Sequence, residues 1–225
     1  MPKKFSDLKK KILIVGLLVT TFALTYATGT FFPNSIIKEK WHEKIQTRFI
    51  KEWNTFGFLE PAIEYTSDNQ FVTSVARCID FWNLGIEPRD RIHRDIIIAM
   101  AVLETGYGGS RFAIDAHNLF GIRTWDPNTP QLKPLENPNA EWGVKKYRSK
   151  CASVKDMIDI VNRHPAYEDF RKERARQYEM GNFNLHQQID FLNKWSTNPE
   201  YTSLVKNRAD EIHKYLDGKG NEDKN

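Results

Sequence analysis

No charged residue falls between positions 12 and 32, and Lys9, Lys10 and Lys11 stand immediately before that run. A helix of this length reaches about 30 Å, the thickness of a hydrocarbon core. The lysines set its expected orientation: residues 1–11 in the cytoplasm and the rest outside, by the positive-inside rule. A cleaved signal segment competes with a permanent transmembrane anchor, because small residues, Thr25 and Ala27, lie near the end of the run. The two alternatives share one expectation, that the body of the protein works beyond a membrane. The protein is either single-pass in an inner membrane with a periplasmic body or secreted.

The charge distribution supports that separation. Of 33 basic and 29 acidic residues, five lysines and Asp7 lie in residues 1–33, which leaves 28 of each sign and a neutral body. A neutral body argues against nucleic acid as a partner, since such affinity comes from clustered cations. The chain has 225 residues, 40% of them hydrophobic and 28% charged. That suits one globular domain and excludes disorder and a polytopic membrane protein. Aromatic residues make up 12% of the chain, which suits a core or a ligand-holding groove. Cys78 and Cys151 are open to two readings, a disulfide or two buried thiols.

The organisation follows as residues 1–33 (lysines and anchor or signal), 34–69 (linker or stalk), 70–216 (the folded domain) and 217–225 (a polar, frayed tail). Helical spacing at Ile37, Trp41, Ile45, Phe49 and Trp53 marks the stalk. Phe71, Val75, Cys78, Ile79 and Trp82 share one helix face, which Gly85 ends. A strongly apolar helix is expected over 91–104, ended by Gly106, Gly108 and Gly109. Ser110 is the expected N-cap of a short helix over 111–116. Residues 121–150 hold short β-prone pieces among turn residues and form a small β lobe. Helices are expected again over 153–162, 166–178, 185–195 and 199–216. The fold class is therefore mainly α with a small β lobe, preceded by an N-terminal transmembrane helix.

One carboxylate stands out. Glu104 ends the apolar helix, at its negative pole and among apolar neighbours, and both effects raise a carboxyl pKa toward what a general acid needs. A glutamate pointing at water is the competing reading. Other chemistries fail their motif tests. The glycines of 106–109 lack the last glycine of a dinucleotide fingerprint, Ser110 is in no nucleophile elbow, and His42-Glu43 is followed by Gln46 where a second metal ligand should stand. The histidines show no metal spacing, so neither a metal nor a cofactor is expected.

The segment ALETGYGGSRFA, starting at Ala101, with HNLFGI, starting at His117, resembles the lysozyme-like glucosaminidases of glycoside hydrolase family 73, and more closely their Bax-like branch. The likeness continues through Val144 to Tyr147, Val161 to Tyr167 and Asn198 to Tyr201. The resemblance implies a lysozyme-like fold and hydrolysis of the β-1,4 bond after N-acetylglucosamine in peptidoglycan strands. It implies Glu104 as general acid and Tyr201 as a cleft tyrosine. Asn118 and Phe120 match the motif beside the catalytic helix and are candidate substrate contacts, with a structural role as the alternative. A second carboxylate, needed for a two-carboxylate mechanism, is expected at Glu141. Glu136 and the more remote Asp126 are alternatives, and so is the substrate's own 2-acetamido group. A lytic transglycosylase and a non-catalytic wall-binding module are the competing functions.

Overall fold

The computed structural model describes residues 3–31 and 55–222, together with 40, 41, 44, 45, 47, 48 and 51–53 between them. Side chains are described over 10–26 of the first helix and up to residue 218 at the other end. The chain divides into two compact units, Met1–Leu59 and Glu60–Asn225.

In the first unit, helix α1 (Lys3–Phe31) takes in the uncharged run as far as Phe31. Among the described residues, no helix is long and apolar enough to cross a membrane. The structure therefore gives the expected transmembrane helix no support. Gly16, Thr20, Thr21 and Thr25 dilute the apolar surface. The threonine hydroxyls donate to carbonyls three and four residues back, as from Thr20 to Gly16 at 2.9 Å. The described positions of the stalk from 40 to 53 are helical. Ile37 and Phe49, two of its five spaced positions, lie outside the described residues.

The second unit is mainly helical with one small sheet. Its elements are α2 (Asp68–Asn83), α3 (Arg94–Thr105), α4 (Arg111–Asp115), β1 (Arg123–Thr124), β2 (Gln131–Leu132), β3 (Gly143–Lys145), α5 (Lys150–Arg163), α6 (Glu168–Met180), α7 (Leu185–Asp190) and α8 (Tyr201–Glu222). Short 3-10 turns lie at Pro88–Asp90 and Pro165–Tyr167. Helix α3 is central: every residue from 95 to 102 is buried, so its surface is covered all round. Helix α8 lies along it more extensively than any other pair of elements. Val205, Ala209 and Ile212 supply the buried face of α8.

The caps explain where helices begin. Ser67, Ser110 and Ser149 each accept a backbone N–H three residues on, and each starts a helix at the next residue. The expected 91–104 helix starts instead at Arg94, because Pro88–Asp90 forms its own turn and the His93 side chain caps the Asp95 N–H. The expected 185–195 helix ends at Asp190. Tight turns follow, with the Trp195 N–H donating to the Leu192 carbonyl at 3.0 Å. The expected frayed tail is helical as far as Glu222.

The second unit takes in residues before 70. Ile63 is buried, the Tyr65 hydroxyl donates to the Gly108 carbonyl at 2.8 Å, and Glu60 pairs with Arg148 and Ser149. The sheet order is β1-β3-β2, antiparallel throughout, with Arg123 opposite Val144 and Leu132 opposite the same residue. Of the two readings of the cysteines, the structure adopts the disulfide. Cys78 on α2 is joined to Cys151 on α5, with Cα atoms 5.7 Å apart.

Candidate active site

Helix α3 stops one residue after Glu104. Gly106, Tyr107 and Gly108 all take left-handed backbone, with φ of 56°, 57° and 80°. That conformation costs roughly 1 kcal/mol or more at Tyr107, which has a side chain. Neighbours hold it: Arg208 donates to the Tyr107 hydroxyl at 3.2 Å, and Phe71 meets its ring edge-on. Gly108 must remain glycine, since a Cβ there would collide with the Tyr65 hydroxyl and Phe71. The reversal leaves the Glu104 carboxyl at the head of a cleft of about 360 Å³.

Burial is the chief reason that the Glu104 pKa is raised. The nearby Tyr201 hydroxyl and the Arg123 charge both pull it back down. Tyr201 is the first residue of α8 and is buried. Its hydroxyl forms no hydrogen bond, and Glu104 is the carboxylate whose charge acts on it. Burial first, and then the Glu104 charge, push this phenol well above the usual tyrosine range. The site thus brings Glu104 and Tyr201 together.

The floor and walls are aromatic. Phe120 is buried and meets Trp195 edge-on at 6.4 Å, and Tyr167 lies 5.9 Å from Trp195, ring centre to ring centre. Burial pushes the Tyr167 phenol up to about 12. Arg123 and the exposed Trp125 form the β-lobe lip, and Ser196 and Thr197 complete the far side. Tyr167, Trp195 and Arg123 were not legible as site residues from spacing. The only sequence signal was their nearness to the segments at 161–167, 198–201 and 117–122.

Asn118 is a correction. It is fully buried, and its carboxamide uses its whole bonding capacity inside the fold. The amide nitrogen donates to the carbonyls of Ile122 and Lys145, each at 2.9 Å, and the oxygen accepts from the N–H groups of Phe120 and Ile122, each at 3.1 Å. Nothing is left for a substrate. The residue instead staples the 119–122 loop to β3, which sets Gly121 beside Glu104. A Cβ at Gly121 would lie 3.6 Å from the Glu104 carboxylate, in a backbone with φ of 63° that disfavours side chains.

Glu141 and Glu136 are exposed and do not line the cleft. Among the described residues that line it, Glu104 is the one carboxylate. Glu141 is carried away because the chain there turns into β3, whose neighbouring Trp142 faces Arg123 instead. No group of three or more His, Cys, Asp and Glu side chains among the described residues is gathered as a metal site needs.

Residues 86–214 match the family model for glucosaminidase, described as mannosyl-glycoprotein endo-beta-N-acetylglucosaminidase. Protein bax of Escherichia coli (strain K12) is 33% identical over 95 residues, which are 42% of this chain and 33% of that protein. This chain therefore spans about a third of the length of that relative. The catalytic domain of the autolysin Auto from Listeria monocytogenes superposes with a TM-score of 0.49 at 17% identity, over 73% of this chain and 95% of that one. The glucosaminidase match takes in more than half of the chain, so the protein belongs to that family of glycoside hydrolases.

Proposed function

We propose that the body is a lysozyme-like endo-β-N-acetylglucosaminidase that hydrolyses the β-1,4 bond after N-acetylglucosamine in peptidoglycan. The observation that carries this reading is the Glu104 carboxyl, biased toward its protonated form by burial at the head of an aromatic cleft and facing the Tyr201 phenol. In this mechanism Glu104 donates its proton to the leaving glycosidic oxygen. Burial keeps the proton in place until then, and Tyr201 and Arg123 favour the carboxylate that remains. With no second carboxylate among the described lining residues, the sugar's own 2-acetamido group is the nucleophile. That same observation favours a second reading, a lytic transglycosylase that closes an anhydro sugar without water. Mass spectrometry of digested, purified peptidoglycan separates them. Hydrolysis gives products heavier by one water with reducing N-acetylglucosamine ends; anhydro products overturn it.

The N-terminal unit is proposed to carry the body out of the cytoplasm and keep it at the membrane. The lysine cluster precedes the uncharged helix, and the threonine hydroxyls are satisfied inside it, as a hydrocarbon setting demands. The disulfide suits an oxidising compartment. Fractionation with protease treatment of intact cells tests this reading. Membrane-bound, externally digestible protein is the expected result; protein in the cytosol contradicts it.

A further inference from the structure

Arg123 is the cleft's one cation among the described lining residues. Glu104 feels its charge, yet no described carboxylate is close enough to form an ion pair with it. Its place is fixed from two sides. The backbone of β1 is paired across to Val144, and the guanidinium lies over the Trp142 ring, 4.1 Å from the ring centre. Stacking restricts the guanidinium plane but leaves its N–H edge available, the geometry that suits a bidentate acceptor. The side chain is exposed at the lip, so a polymer lying in the cleft reaches it without rearrangement. An uncharged glycan needs no such group: aromatic walls such as Trp195 and hydroxyl partners such as Ser196 serve it.

We infer that Arg123 is a specificity-determining residue that pairs with a carboxylate carried by the glycan strand, so that the cleft selects acidic over neutral N-acetylglucosamine polymers. The inference rests on the reading of the substrate as peptidoglycan and names the feature of it that is read. Two sources present the same chemistry: the lactyl group on the sugar and the carboxylates of the peptide stem. The charge-assisted pair is made in the bound state, so its loss acts on affinity and on salt dependence.

The test is binding by the full chain carrying Glu104→Gln, which leaves the strands uncut. The probes are soluble peptidoglycan strands, the same strands after amidase removal of the stems, and both after chemical amidation of their carboxylates. Adding Arg123→Gln should weaken binding to carboxylate-bearing strands about ten-fold and flatten the salt dependence, while Arg123→Lys recovers part of the loss. Amidation should abolish the difference between the proteins. A ten-fold effect on stem-free strands assigns the lactyl carboxylate, and one confined to stem-bearing strands assigns the peptide. Equal affinity of the two proteins for every strand overturns the inference. A loss that survives amidation, or no strand binding by the parent, overturns it too. Wild-type protein that binds strands and leaves them uncut counts against the proposed hydrolysis alone.

Discussion

Desolvation raises the Glu104 pKa against two opposing groups, and each of the three has a consequence at the bench. In the proposed mechanism Glu104 works only when protonated, so kcat/KM should fall as pH rises through its raised pKa. Tyr201 and Arg123 both lower that pKa, so Tyr201→Phe and Arg123→Gln should each move the falling limb to higher pH. A pH–rate profile checks this, and a limb that stays in place contradicts the assignment of Glu104 to it. Stability follows the same sign. A carboxyl whose folded pKa lies above its unfolded value stabilises the fold at low pH and loses that contribution as pH rises through the folded value. Glu104→Gln should therefore melt no lower than wild type at neutral pH, and its advantage should vanish in acid. Glu141 is exposed and outside the cleft, so Glu141→Gln should keep wild-type turnover. A dead Glu141 variant would restore a two-carboxylate mechanism.

Two junctions between elements hold the body together. Asn118→Ala would leave one buried and one part-buried N–H and two carbonyls short of their partner, at a cost of about 2–4 kcal/mol. Both Tm and activity should fall, since Gly121 and Phe120 lose their placement together; a lower Tm with full turnover would show that the loop is not needed there. The disulfide joins α2 to α5 across a sequence separation of 73. Closing a loop of that size contributes about 4 kcal/mol in the chain-entropy account. Reduction should lower the melting temperature accordingly, measured by calorimetry with and without dithiothreitol. Much at this scale was legible in the sequence. The buried face of α2, the Ser110 cap and the β-prone pieces of 121–150 follow from periodicity and turn chemistry alone. The start of α3 was not, because it depends on a histidine cap, and histidine is no standard cap residue. The turns that aim Trp195 into the cleft were not legible either. They break a helical pattern for tertiary reasons that no local signal carries.

For the whole molecule, the sequence named Glu104 and Tyr201 as a candidate acid and its tyrosine partner, and these residues, far apart in the chain, meet because α8 packs along α3. It did not reveal that the motif asparagine is consumed by the fold, since residue type alone does not show how many of its bonds are already used. Its candidate for a second carboxylate, Glu141, lies exposed outside the cleft, because a lobe rich in turn residues does not disclose which of its side chains turn inward. The central claim is that one half-buried acid, Glu104, performs the cleavage. The most direct test is turnover of purified peptidoglycan by wild type and by Glu104→Gln, read alongside melting curves of both. The account predicts a loss of about 10²–10⁴ in rate with an unchanged or higher Tm at neutral pH. Near wild-type turnover in a folded Glu104→Gln protein would contradict it.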